Sequence, residues 1–404
     1  MEAQLEEFVR DSLLARNGPA RTFFSREAPR LAEACREMAD RLARGGRLLA
    51  IGRRQYATDA QHVAVEFVHP VIVGKRALPA LDLSFADDLA LRALARPDDI
   101  VMGFAAPTGD PGVDRCLDAA LAAGAQTFAL PGSRGHYAVA PPHADPFIHQ
   151  EIIEVLYHTL WETVHVFLEH REAGHDLGST DFLYPYLGRS KADARTLLST
   201  VSDSIQAKAG VDEELRTETA ARLSDVIAEA AVEIARRTAA GGAILTFGNG
   251  GSATDANDFA LDCVFPAKPR RPIAAASLSS EAACLTAIAN DIGREAMFLR
   301  QLIAHGRPGD VALAISTSGG SANVIAALEH ARARGLLTVA VLGYDGGEIA
   351  RRGLADLAIT VNCDYIPRIQ EVQASIYHTL IDAVYAVLAT EGRRSQASAH
   401  AAAP

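Results

Sequence analysis

Short apolar runs closed by glycine punctuate this chain, and amphipathic stretches separate them. The runs at 47–51 (RLLAI), 243–247 (AILTF), 273–278 (IAAASL), 311–316 (VALAIS) and 338–343 (TVAVLG) are too short and too uniformly apolar for surface helices. They read as strands buried on both faces. Between them, Leu31, Ala34, Cys35, Met38 and Leu42 recur at helical spacing, as do Leu223, Val226, Ile227, Ala230 and Ile234. Strand, Gly-rich turn and helix in alternation predict an α/β fold with a parallel, doubly wound sheet.

The pattern occurs twice. GGRLLAIG (45–52) returns as GGAILTFG (241–248), RPDDIVMGF (96–104) as RPGDVALAI (307–315), and QEIIEVLYHTL (150–160) as QEVQASIYHTL (370–380). The anchors keep their order, so the chain reads as two diverged copies of one domain, 20–171 and 211–391. A connecting segment, 172–210, starts polar, contains FLYPYLG and then turns helical. The tail 392–404 reads as disordered.

Composition changes this picture little. A net charge of −11 over 404 residues, with no basic stripe, argues against nucleic acid and anionic membranes as partners. The five cysteines are scattered and odd in number, the N-terminus is acidic, and no apolar run approaches a membrane-spanning length. A cytoplasmic protein is the expectation.

The candidate chemistry lies in two loops of the second copy. Gly248-Asn249-Gly250-Gly251-Ser252 follows a strand and opens a helix. Ser316-Thr317-Ser318-Gly319-Gly320-Ser321 does the same after VALAI. Backbone N–H groups, hydroxyls and helix N-termini make such loops anion cradles at the carboxyl ends of parallel strands. Neither loop has a P-loop or dinucleotide-binding pattern, so no nucleotide cofactor is expected. Asn290 and Asp291 are candidates for binding sugar hydroxyls. In the first copy both loops are altered, to Gly52-Arg53-Arg54-Gln55-Tyr56 and Ala105-Ala106-Pro107-Thr108-Gly109. Arg53 and Arg54 read either as an anion clamp or as a solvated turn.

FGNGGSATDA, LTAIAND, RPGDVALAISTSGGSANV, GYDGGE and RIQEVQ…YH together resemble the sugar-isomerase (SIS) domain family, and within it the phosphoheptose isomerases. The resemblance implies tandem SIS domains that convert a sugar phosphate between aldose and ketose forms. It places the phosphate on Asn249, Gly250, Gly251, Ser252, Ser316, Thr317, Ser318 and Ser321, with Gly320 where the family usually has Asn. It assigns acid–base roles to His378 and to Asp262, the latter a methylene shorter than the family's Glu.

Some family members bind zinc. Those positions fall on Asp258, Asp262, Gln370 and His378 in the second copy, and on His62, Glu66, Gln150 and His158 in the first. Gln370 also counts among the substrate-binding candidates. The first copy thus keeps the metal and acid–base set, Glu66 and His158 included, while losing the cradle. Gln150 and His158, about 12 Å apart along an ideal helix, sit far apart for ligands of one ion. The resemblance further implies a homodimer acting as a pseudo-tetramer, with cradle and acid–base groups drawn from different copies. The same motifs also resemble a replication-initiation regulator of the family, so a non-catalytic phosphosugar sensor or protein-binding module is the alternative.

Overall fold

The computed structural model describes residues 2–72, 74–172 and 194–401. They form two units, Arg16–Glu213 and Met1–Ala15 with Glu214–Pro404. A leading helix, α1 (Glu2–Leu14), belongs to the second unit. The first unit then runs α2 (Asn17–Ala43), β1 (Leu48–Gly52), α3 (Ala57–Val68), β2 (Ala80–Asp82), α4 (Asp88–Leu94), β3 (Ile100–Phe104), α5 (Pro111–Ala122), β4 (Gln126–Leu130), β5 (Tyr137–Ala138) and α6 (Pro146–Glu172). Helix α7 (Ala194–Ala239) carries the chain across the boundary. The second unit continues with β6 (Ile244–Phe247), α8 (Gly251–Val264), β7 (Ala275–Ser277), α9 (Ala282–Asp291), α10 (Met297–His305), β8 (Val311–Ser316) and α11 (Ala322–Ala333). It ends with β9 (Leu337–Gly343), α12 (Gly347–Arg351), β10 (Leu357–Val361) and α13 (Ile366–Ala401).

Each unit has one parallel five-stranded sheet, ordered β2-β1-β3-β4-β5 in the first and β10-β9-β8-β6-β7 in the second. Read from the opposite edge, the second order repeats the first. Both faces of each sheet are covered, which is why the strands are apolar throughout. In β1, Leu48 and Ala50 join one apolar cluster and Leu49 and Ile51 the other, as the two-residue period of a strand requires.

The repeated RPxD motif has a structural role. Asp99 accepts hydrogen bonds from the Arg47 N–H (3.0 Å) and the Arg96 N–H (3.0 Å), and pairs with the Arg47 guanidinium at 2.7 Å. Asp310 accepts from Ala243 N–H and Arg307 N–H, both at 2.8 Å. A buried carboxylate thereby fastens the start of the first strand in each unit to the start of its central neighbour.

Three sequence expectations need adjustment. The tail expected to be disordered continues α13 as far as Ala401, consistent with its Ala, Arg and Gln content. The connecting segment lies outside the described residues from 173 to 193, and from Ala194 it is one continuous helix through the expected boundary at 210. By composition Ile366–Thr390 is long and apolar enough to cross a membrane, against the expectation of no such run, but 78% of its most apolar window is buried. A helix buried in a unit carries apolar residues on more than one face, and this one also buries Gln370, Glu371 and His378.

Replacing Asp310 with Ala leaves two N–H donors without their acceptor. We expect it to destabilise the protein by about 1–3 kcal/mol in urea unfolding, with secondary structure retained at low denaturant.

Candidate functional site

In the second unit the strand order sets β6 beside β8, so their following loops emerge side by side. The first turn is tight: a Cβ on Gly248 would lie 2.3 Å from the Ser252 carbonyl oxygen. Gly250 has φ of 59° and is the N-cap of α8, offering that helix no side-chain cap. Ser321 likewise precedes α11 without a side-chain cap bond. Two helix N-termini, each with a positive dipole end and serine hydroxyls nearby, are left for an anion.

The loops are joined directly. Asn249 Nδ2 donates to Asn323 Oδ1 at 3.0 Å, and Asn323 Nδ2 donates back to Asn249 Oδ1 at 2.8 Å. Ser316 Oγ accepts from Gly319 N–H and Ser318 Oγ from Gly320 N–H, which shapes the second loop and leaves each O–H to donate. Helix α12 props this loop from behind, its Ile349 N–H bonding the Gly319 carbonyl at 3.0 Å. Ser252 and Ser316 are buried at the base, whereas Asn249 and Ser318 are exposed. Asn323 and Ser279, which bonds Gly248 N–H at 3.1 Å, complete the cradle and were not among the sequence candidates. Asn290 and Asp291 are placed at the end of α9, exposed and bonded to one another.

The acid–base candidates form a second, separate cluster. His378 Nε2 lies 3.3 Å from Asp258 Oδ2 and 3.4 Å from Asp262 Oδ2, and Tyr377 donates its hydroxyl to Asp258 at 2.9 Å. All three titratable groups are buried. Burial foremost, then the charge of Asp258, pushes the Asp262 carboxyl up to about 7, while His378 acts the other way. Asp262 follows Ser252 by ten residues on α8, so it sits about 15 Å further along the helix axis. Within this unit, cradle and cluster are not in one place. Gln370 is buried in the first turns of α13.

In the first unit the cradle is occupied by the chain itself. Arg53, at the position of Asn249, donates to the Ser84 and Ala86 carbonyls and is half-buried, while Arg54 is exposed. Asp110, at the position of Ser321, caps α5 by accepting from Gly112 N–H (2.7 Å) and Val113 N–H (3.1 Å). The helix N-terminus that would attract an anion already has a carboxylate.

The buried set behind it is intact but composed differently from expectation. His62 Nε2 and His158 Nε2 are 3.3 Å apart, and Glu66 Oε1 lies 3.9 Å from His62 Nε2. Glu154 completes the group: donor atoms of His62, Glu154 and His158 all lie within 4.8 Å of one another. Gln150 donates its Nε2 to Asp59 Oδ2 at 3.1 Å and contacts Thr58 Oγ1 at 3.4 Å. Glu154 stands one helical turn before His158 and Gln150 two turns before it. The spacing of Glu154 and His158, matching that of His62 and Glu66, was the available signal. A tetrahedral zinc with arms of 2.0–2.1 Å has ligand–ligand edges of about 3.3 Å. Two imidazoles and a carboxylate at these distances fit such an ion.

Two parallel sheets of one topology, the second with Gly/Ser loops at its carboxyl end, define a tandem α/β protein. The C-terminal domain of glucosamine-fructose-6-phosphate aminotransferase from Francisella tularensis shares this fold across 95% of the chain and 96% of its own, with a TM-score of 0.59 at 7% identity. The SIS domain family model matches residues 211–343. A phosphoheptose isomerase from Paramagnetospirillum magneticum is 48% identical over 152 residues, 37% of this chain and 78% of that protein. One from Geobacter sp. is 41% identical over 191 residues, 47% of this chain and 98% of that protein. The chain belongs to the SIS domain family, and these curated relatives are phosphoheptose isomerases.

The raised Asp262 carboxyl has a consequence for stability. Between about pH 4 and about pH 7 the folded state holds a proton that the unfolded chain releases, so stability falls as pH rises through that window. Asp262→Asn removes this component. Urea midpoints measured at about pH 5 and about pH 8 are expected to drop further for the parent than for the variant.

Proposed function

We propose that this chain is a sugar-phosphate aldose–ketose isomerase, acting on sedoheptulose 7-phosphate or a close analogue, whose phosphate is held by the second unit. The observation that carries this reading is the pair of uncapped helix N-termini behind loops joined through Asn249 and Asn323. The names of the relatives support the substrate class.

Isomerisation moves a proton between neighbouring carbons and needs an acid for the oxygen. Asp262 and His378 are suited to exchanging a proton near neutrality, since the raised carboxyl sits beside an imidazole. In the first unit, His62, Glu154 and His158 would hold a zinc ion, with Glu66 next to His62. Zinc, when bound, polarises a carbonyl oxygen. A second reading, a non-catalytic phosphosugar-binding regulator, is favoured by the roughly 15 Å along α8 between Ser252 and Asp262.

The deciding measurement is an NMR assay of the full chain with sedoheptulose 7-phosphate, with and without zinc. Conversion supports the isomerase; binding without conversion in either condition supports the regulator. Ser318→Ala, at an exposed position, is expected to weaken binding about five- to thirtyfold by calorimetry. His378→Ala is expected to lower turnover about a hundredfold or more. Metal analysis is expected to find zinc lost in His158→Ala and in Glu154→Ala.

A further inference from the structure

The two units differ by a deletion that can be located from matching hydrogen bonds. In the second unit, Asp356 accepts from Thr338 N–H (2.9 Å) and Oγ1 (2.8 Å) and donates its own N–H to Thr338 Oγ1 (2.9 Å). In the first, His136 does the equivalent with Thr127: its Nδ1 takes the Thr127 N–H at 3.2 Å and its N–H bonds Thr127 Oγ1 at 3.2 Å. Both bridges tie the end of the returning loop to the same strand position. Between Gly343 and Asp356 the second unit has twelve residues, including α12; between Gly132 and His136 the first has three.

In the second unit, α12 fills a defined place. Ile349 is 0% exposed and shares one apolar cluster with Leu354 and with Leu328 of α11. Arg352, three positions after Ile349, pairs with Glu329 of α11. The first unit lacks the helix and keeps part of the receiving surface, with Leu121 in place of Arg332 and Asp114 in place of Ile325. Leu117 and Asp118 of α5 stand where Leu328 and Glu329 stand on α11. Beside them is an open cleft of about 350 Å³, with Thr108, Leu117, Asp118, Leu121 and Arg134 in its lining. Leu121 is 42% exposed, and Asp118 faces Arg134 of the shortened loop at 3.8 Å across a solvated rim.

We propose that this cleft is a docking site for a short helix of a partner protein, one that presents a branched aliphatic residue and an arginine three positions later. The aliphatic side chain packs on Leu117 and Leu121, and the arginine takes Asp118 from Arg134. In the second unit the equivalent leucine and acidic residue, Leu328 and Glu329, receive such a helix, and here the acidic flank of Asp114 and Asp118 selects a basic one. The cleft is not a second anion cradle, because Asp110 already caps α5.

The probe is a fluorescein-labelled peptide with the sequence of residues 344–356, added to the full chain and followed by anisotropy. Saturable binding is expected. Asp118→Arg should weaken it at least tenfold, and the peptide carrying Arg352→Glu should regain affinity for that variant. Replacing residues 133–135 by residues 344–355 fills the cleft in cis and should abolish binding, with sugar-phosphate binding unchanged. Three outcomes overturn the proposal. One is no saturable binding up to about 1 mM peptide. Another is binding that survives both Asp118→Arg and the graft. The third is displacement of the peptide by inorganic phosphate or sedoheptulose 7-phosphate, which would make the cleft a small-molecule site.

Discussion

Each unit depends on a buried carboxylate that joins the beginnings of two strands distant in sequence. Asp99 and Asp310 take backbone N–H groups from the residue before the first strand and from the turn before the central one. Those donors are otherwise left over at the edge of a parallel ladder, and satisfying them with one side chain fixes which strands are neighbours. At the other end of the same strands, that adjacency sets two loops next to each other. The adjacency of the two loops is the far-end expression of a hydrogen-bonding problem solved at the near end.

From one scaffold the two units reach opposite electrostatic outcomes. An anion site consists of donors kept without protein acceptors. The second unit keeps them by placing Gly250 and Ser321 at helix starts without side-chain caps. The first closes the same positions with its own groups, an arginine on carbonyls and an aspartate on helix N–H groups. Its buried histidines and glutamates persist behind the closed front, so both units keep a buried cluster and only the second keeps an open loop pair.

Strand runs, the internal repeat and both Gly/Ser loops were legible because each is local, contained in a few consecutive residues. What the sequence did not disclose depends on pairs. Asn323 lies 74 positions from Asn249, and nothing at either site announces the other. The RPxD repeat was visible as a marker of duplication, yet its role appears only when Arg47 and Ala243 are seen at its carboxylates. Glu154 was not among the sequence candidates, because the family pattern pointed to Gln150; its place one helical turn before His158 is what brings it to the imidazoles.

The reciprocal amide bonds between Asn249 and Asn323 bear on how a ligand enters and leaves. Each amide spends one of its two N–H donors on the other, so an anion that takes the remaining N–H leaves the pair intact. The pair therefore sets the spacing of the two loops before anything enters between them. A cradle whose width is fixed in advance spends little of a ligand's binding energy on ordering its own loops.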